Sequence, residues 1–272
     1  MVFSAAMLDS SLEHARLVTA LRRALQLNEF VVHYQPIVDL ANQRPIGVEA
    51  LVRWQSPERG LVPPGVFIPV AEESDLILEI DERVLRLACS EVARQLEALP
   101  DDFDLHVNLS PRQLIQANFF STLEEILRTS GLPPERLTLE LTESQLVEED
   151  QAISERLRRI RDLGCRIAID DFGTGYSSLA YLSRLPFDCL KIDKHFVQKM
   201  QTSPQDASII TGVLHMARGF GVNVVAEGVE TAAEAACLKV MGCPQGQGYY
   251  FGRPAPLEAL TSAARPAPVP PG

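Results

Sequence analysis

Eight short runs of strand composition divide this chain, and helical patterns fill most of the gaps between them. The runs lie at about 31–37, 46–53, 104–109, 137–142, 166–171, 188–193, 222–227 and 247–251. Apolar residues recur at helical spacing near 78–98, 111–129, 150–163, 176–184, 204–220 and 231–241. Strand–helix alternation from the second run onward is the pattern of parallel β-α units. Eight strands favour a closed barrel over an open sheet, and 272 residues is close to the usual barrel length of about 250. One junction breaks the pattern: the first two runs are joined by only about ten residues, DLANQRPIG, and a parallel pair needs roughly a dozen or more. The expected fold is therefore α/β, a modified TIM-type (β/α)8 barrel with the first strand antiparallel to the rest.

Residues 1–28 read as a leading amphipathic helix or linker, with Leu12, Val18, Leu21 and Leu25 on its apolar face. Residues 29–262 form the barrel domain, and 263–272, ending ARPAPVPPG, a Pro/Ala-rich tail. Segment 54–74, rich in Pro and Gly, reads as a loop with a short helix. Internal repeats and a second domain are not expected.

The net charge of −11 argues against binding a DNA or RNA polymer, whose backbone is held by many Lys and Arg contacts. A phosphate-bearing ligand remains compatible with an acidic protein if metal ions invert the local field. Apolar runs stay short of the ~18 residues of a membrane span, and the N-terminus lacks the features of a secretory signal. A soluble, cytoplasmic protein without a membrane segment is expected. Cys89, Cys165, Cys189, Cys237 and Cys243 are odd in number and scattered, so they read as free, buried or partly buried thiols. The five histidines show no metal-binding spacing. A metal would thus rely on oxygen donors, which select hard ions such as Mg²⁺ or Mn²⁺.

Polar side chains collect where the apolar runs stop. Glu49 lies in GVEAL, Asn108 in LHVNLS, Glu140 and Glu143 in LELTES, Asp170 and Asp171 in IAIDDFG, Lys191 in LKID, and Glu227 in VVAEGVE. Strand ends in a barrel converge on its C-terminal mouth. Carboxylates brought together there repel unless cations hold them. Asp170 and Asp171 are neighbours, so both can face the mouth only if the backbone bends between them. The supply exceeds the three or four ligands one ion needs and suits two, the apparatus for in-line displacement at phosphorus. Lys191 and Glu227 could orient or deprotonate the attacking water.

Each residue also has a bland explanation. A lone strand-end carboxylate is most often a cap or a surface ion pair. Ser110 reads as the cap of the helix that follows it, Asp193 as structural, and Lys191 alone as an ion-pair partner. Singly the bland reading wins; coincidence at one end of successive strands makes it a poor joint account. DFGTGYSS, with Gly173 and Gly175, lacks the Lys of a P-loop and reads as a lid or interface loop. Gln35 on the first strand, Arg53 on the second as a phosphate fork, and Gln247 on the last are placed for ligand contact. Trp54 and the aromatics of GYYF read mainly as packing.

YQPIVDL, GVEALVRW, VNLS, LELTES, IAIDDFGTGYSSL, LKID, VVAEGVET and QGYYFGRP, in this order over residues 34–254, resemble the EAL-domain family of cyclic-di-GMP phosphodiesterases. The resemblance implies metal-dependent hydrolysis of cyclic di-GMP to the linear dinucleotide pGpG. It implies metal ligands at Glu49, Asn108, Glu140, Asp170, Asp171 and Glu227, holding two divalent cations, Mg²⁺ or Mn²⁺. Catalytic roles fall on Lys191, Glu227 and Glu49, and substrate contacts on Gln35, Leu51, Arg53 and Gln247. Glu143 matches a glutamate that fixes the loop after the aspartates. That loop, 172–178, including Phe172, Gly173, Thr174 and Gly175, takes part in homodimerisation in the family. The leading helix resembles the linker to an upstream sensor or GGDEF domain. All ligand positions being filled, turnover is expected. The alternatives are a non-catalytic cyclic-di-GMP receptor, a Schiff-base barrel enzyme using Lys191, and a structural interaction module.

Overall fold

The structure, a computed structural model, describes residues 5–143, 151–175 and 182–263. Most of the helix expected at 176–184 and all but the first residue of the tail lie outside these. Strands β1 (Phe30–Asp39), β2 (Pro45–Ser56), β4 (Asp104–Asn108), β5 (Leu137–Thr142), β6 (Arg166–Phe172), β7 (Cys189–Ile192), β8 (Asn223–Ala226) and β9 (Gln245–Gln247) close into a barrel. β1 pairs antiparallel with both β2 and β9, and the remaining barrel pairs are parallel. The short link does what its length required. Asp39 Oδ1 accepts from the Ala41 and Asn42 amides, and the chain reverses at once.

Period-two alternation builds two cores. Leu105, Val107, Leu137, Leu139, Leu141, Ile167, Ile169, Leu190 and Val224 face outward into the shell beneath the helices. Ile37, Ala168, Cys189 and Val225 form a separate apolar layer in the lumen, with Ile46 against it. Above that layer, on the same faces, stand the strand-end polar residues. The floor of the mouth is thus a packed hydrophobic plug rather than a channel.

The helices are α1 (Ala5–Leu27), α2 (Pro64–Glu73), α3 (Ile77–Ala93), α4 (Pro111–Leu114), α5 (Phe119–Ser130), α6 (Gln151–Asp162), α7 (Lys194–Lys199), α8 (Pro204–Phe220), α9 (Ala232–Met241) and α10 (Leu257–Ala263). α3 sets Ile77, Ile80, Val84, Ala88 and Val92 against the barrel, full burial of each Ile or Val side chain contributing about 1.5–3 kcal/mol. Ser110 caps α4 and Asp193 caps α7, as read from the sequence. Thr231 and Glu234 form a reciprocal capping box on α9.

Five expectations change. In α1 the buried side chains are Leu17, Leu21 and Ala24, while Leu12 is exposed, because the helix meets the shell only along its later turns. Segment 54–74 contains the expected short helix, but a hairpin stands where the loop was expected. β2 runs to Ser56 and pairs with a short β3 (Gly60–Val62), and α2 follows. The helix expected over 111–129 is two helices, α4 and α5. The last strand spans Gln245–Gln247 rather than 247–251, since Gly248 lies so close to Val229 that a Cβ would sit 2.1 Å from its carbonyl oxygen. Tyr249 and Tyr250 are consequently exposed and not core. Trp54 is core: it packs on Phe30 and Phe67, and its indole Nε1 donates to Glu29. Among the cysteines Cys89, Cys165, Cys189 and Cys243 are buried, Cys237 is partly so, and all five are free.

Asp81 on α3 bonds the side chain and backbone of Ser110, anchoring the turn just after Asn108. Burial pushes its carboxyl up to about 7, and its Oδ2 is buried without a partner. The folded value lies above the unfolded one, so the fold binds the extra proton. Its contribution to stability is then greatest below about pH 4 and is lost as pH rises through about 7. Asp81→Asn, which can still accept from Ser110, is expected to stabilise the protein by about 1–3 kcal/mol above pH 7 and to flatten that slope. Denaturant melts across pH would show it; a slope identical to that of wild type would refute the assignment.

Candidate functional site

The lumen face of each strand delivers one polar side chain to the mouth. Parity places Gln35, Glu49, Asn108, Glu140, Asp170, Lys191 and Gln247 in one layer, and Glu227 follows at the end of β8. Asp171 has φ of 53° and β6 loses register with β7 at that point, so the strand bends where two adjacent carboxylates need it. Ligand oxygens of Asp170, Asp171 and Glu227 lie within 4.8 Å of one another.

Lys191 is the hub. It is fully buried, and its Nζ lies 2.7 Å from Glu227, 2.8 Å from Glu140, 3.2 Å from Glu49 and 3.5 Å from Asp170. Desolvation opposes its charge, but Asp170, Glu140, Glu227 and Glu49 outweigh that cost and hold its pKa well above the ordinary lysine value. An ammonium so held keeps its proton. It can orient a water through its N–H groups.

The carboxylates differ in their support. Burial works against the Glu49 charge, yet Lys191, Gln247 and Asn108 overcome it, and its pKa falls below the usual range. Its partners are Asn108 Nδ2 at 2.9 Å and Gln247 Nε2 at 2.6 Å, besides Lys191. Burial pushes Glu140 and Glu227 well above the usual range despite Lys191, with neighbouring carboxylates adding to the rise. Asp171 rises to about 6 through burial and the charges of Asp170 and Asp193. One ammonium facing four carboxylates leaves negative charge in excess at a partly buried rim.

That excess fits divalent cations. Every donor is an oxygen of a carboxylate or amide, the choice of hard ions. Gln247, which lines the cleft, also keeps a buried Oε1 with no hydrogen-bond partner.

A cleft of about 430 Å³ opens above the cluster, lined by Gln35, Glu49, Asp170, Glu227, Gln247 and Tyr249 among others. A larger hollow of about 700 Å³ lies between α1 and α3, away from the strand ends. Its Arg86 and Glu82 pair with each other, so chemistry and not volume marks the site. Leu51 and Arg53 stand beyond Glu49 on the same face of β2, outside the cleft wall. Arg53 Nη1 donates to the Val52 carbonyl.

Glu143 Oε2 accepts from the amides of Gly173 at 2.8 Å and Gly175 at 3.1 Å, tying down the start of the loop after Asp171. Gly173 has φ of 99° and packs so tightly on Phe196 that a Cβ would lie 2.8 Å from the ring. Thr174 donates to the Asp171 carbonyl. Residues 176–178 of that loop lie outside the described residues.

Sequence reasoning missed His106, Lys194, Gln198 and Glu230. The last three line the cleft from elements beside it; Glu230 falls within VVAEGVET, but no strand-end position set it or the other two apart. His106 Nδ1 lies 2.7 Å from Glu140 Oε1. Its signal was available, since it precedes Asn108 by two on β4 and so shares its face.

The EAL domain family profile matches residues 18–254. The chain is 40% identical over 261 residues to the bifunctional diguanylate cyclase/cyclic di-GMP phosphodiesterase MucR of Pseudomonas aeruginosa, covering 96% of this chain and 38% of that protein. It is 45% identical to an uncharacterised signalling protein of Caulobacter vibrioides, over 95% of this chain and 32% of that protein. The chain thus spans about a third of the length of these curated relatives. A solved PaMucR phosphodiesterase in complex with c-di-GMP superposes with a TM-score of 0.86 at 42% identity, covering 90% of this chain and 99% of that one. The EAL domain of Pseudomonas aeruginosa FimX bound to c-di-GMP gives 0.79 at 26% identity, covering 88% and 96%. No helix among the described residues is long and apolar enough to cross a membrane.

Proposed function

Since the chain belongs to the EAL domain family, we propose that it is a metal-dependent phosphodiesterase that hydrolyses cyclic di-GMP to linear pGpG. The observation that carries this reading is the surplus of carboxylates around Lys191 at the floor of an open cleft. Glu49, Asn108, Glu140, Asp170, Asp171 and Glu227 would hold two divalent cations, Mg²⁺ or Mn²⁺. When bound, these supply positive charge that acidifies a water and stabilises the oxygens at phosphorus. Lys191 orients that water with its N–H groups. Glu227, held by Lys191 at the end of β8, would accept the proton. Gln247 and Asn108 fix Glu49. Gln35 and Gln247 contact the ligand in the cleft, and Leu51 and Arg53 serve the outer end of the same strand face.

Two neighbours crystallised with c-di-GMP support the ligand. The name of MucR, joined to the short coverage, supports a regulatory or GGDEF domain elsewhere in the natural protein. The tethered loop at Phe172–Gly175 supports a homodimer through that segment, and the five free thiols support a cytoplasmic location. Sedimentation that returned only monomer would remove the dimer.

Incubation with cyclic di-GMP and Mg²⁺ or Mn²⁺ is expected to give pGpG, with EDTA abolishing it. Tight binding with no product under any metal condition would convert the reading to a receptor.

A further inference from the structure

We propose that His106 is a positioning residue, its imidazole fixing Glu140 so that the carboxylate is presented to a divalent cation in the cleft. This rests on the metal-dependent reading above. β4 turns Leu105 and Val107 into the shell and His106 into the lumen. There the imidazole lies one step below Asn108 on the lumen face, opposite Thr138 of β5, and is itself buried. A polar ring in such surroundings is costly unless it is bonded. Its bond is to Glu140 Oε1 at 2.7 Å, while Glu140 Oε2 accepts from Lys191 at 2.8 Å. Against the ionised carboxylate that a cation requires of a ligand, Nδ1 must carry the hydrogen.

The two grips are not equivalent. Lys191 is shared among four carboxylates and neutralises charge. His106 serves Glu140 and, as a neutral donor, fixes its orientation without consuming the negative charge a cation needs. Hydrogen bonds that orient ligating groups typically govern about 10–100-fold in metal affinity.

The experiment measures Mn²⁺ uptake by the substrate-free protein, reading the free-ion electron paramagnetic resonance signal, together with melting in EDTA. In His106→Asn the side-chain amide reaches the place of Nδ1; in His106→Gln it reaches the place of Nε2. His106→Phe keeps a ring and removes the donor. Mn²⁺ affinity is expected to stay within about 3-fold of wild type in the Asn variant and to fall about 10-fold or more in the Gln and Phe variants. Equal affinities for the Asn and Gln variants would overturn the proposal, even if the Phe variant failed to fold. Wild-type protein that took up no Mn²⁺ would overturn the metal reading itself, and this inference with it.

Discussion

Asp171→Asn is expected to lower turnover of cyclic di-GMP by about 10³-fold or more while leaving the metal-free protein at least as stable as wild type. Asp171 occupies left-handed backbone with φ of 53°, a conformation that Asn tolerates nearly alone among other side chains. The substitution therefore keeps the bend in β6 and removes only the charge. In the native protein that charge is uncomfortable, for burial, Asp170 and Asp193 raise its pKa to about 6. A folded value above the unfolded one means that Asp171's contribution to the metal-free fold is most favourable below about pH 4 and is lost as pH rises through about 6. Because the group is only partly buried, the loss is about 1 kcal/mol after solvent screening, and the Asn variant escapes it. Product chromatography and melting in EDTA give the two readouts. Turnover at the wild-type rate would remove Asp171 from the metal set. Lost activity with a large drop in melting temperature would mark it as structural.

Lys191→Met should have the largest effect on stability. The wild-type ammonium is fully buried among Glu49, Glu140, Asp170 and Glu227. Removing one partner from a buried ionic cluster costs about 3–5 kcal/mol, because the remaining charges lose their compensation. In a domain of this size that corresponds to a fall in melting temperature of roughly 10 °C or more in EDTA. Saturating Mg²⁺ or Mn²⁺ should restore part of the loss, since a divalent ion can neutralise the same carboxylates, while turnover stays absent. Melts with and without metal decide the matter. An EDTA melting curve matching wild type would show that the carboxylates do not depend on Lys191. Failure of metal to recover any stability would show that cations do not enter this cluster.

Much of this was written in the chain. Period-two alternation told which strand residues face the lumen, and the short 39–45 link told that β1 reverses. Strand-end Glu49, Asn108, Glu140, Asp170, Asp171, Lys191 and Glu227 could be gathered on one rim before any coordinates, because parallel strands of a barrel end on the same side. Side-chain direction along a strand is a local property, so local sequence carries it.

What only the tertiary structure decided are relations between residues far apart in the chain. Lys191 reads as one cation among strand ends. Its protonation follows from four carboxylates, three on other strands and Glu227 just past the end of β8. The end of β9 depends on Val229 crowding Gly248, and the exposure of Tyr249 and Tyr250 follows from that contact. His106 carried the right parity, but its partner on β5 appears only when strands 34 residues apart in sequence lie side by side. Periodicity is set within one strand, whereas burial, charge compensation and hydrogen-bond partners are set between strands, where sequence distance says little.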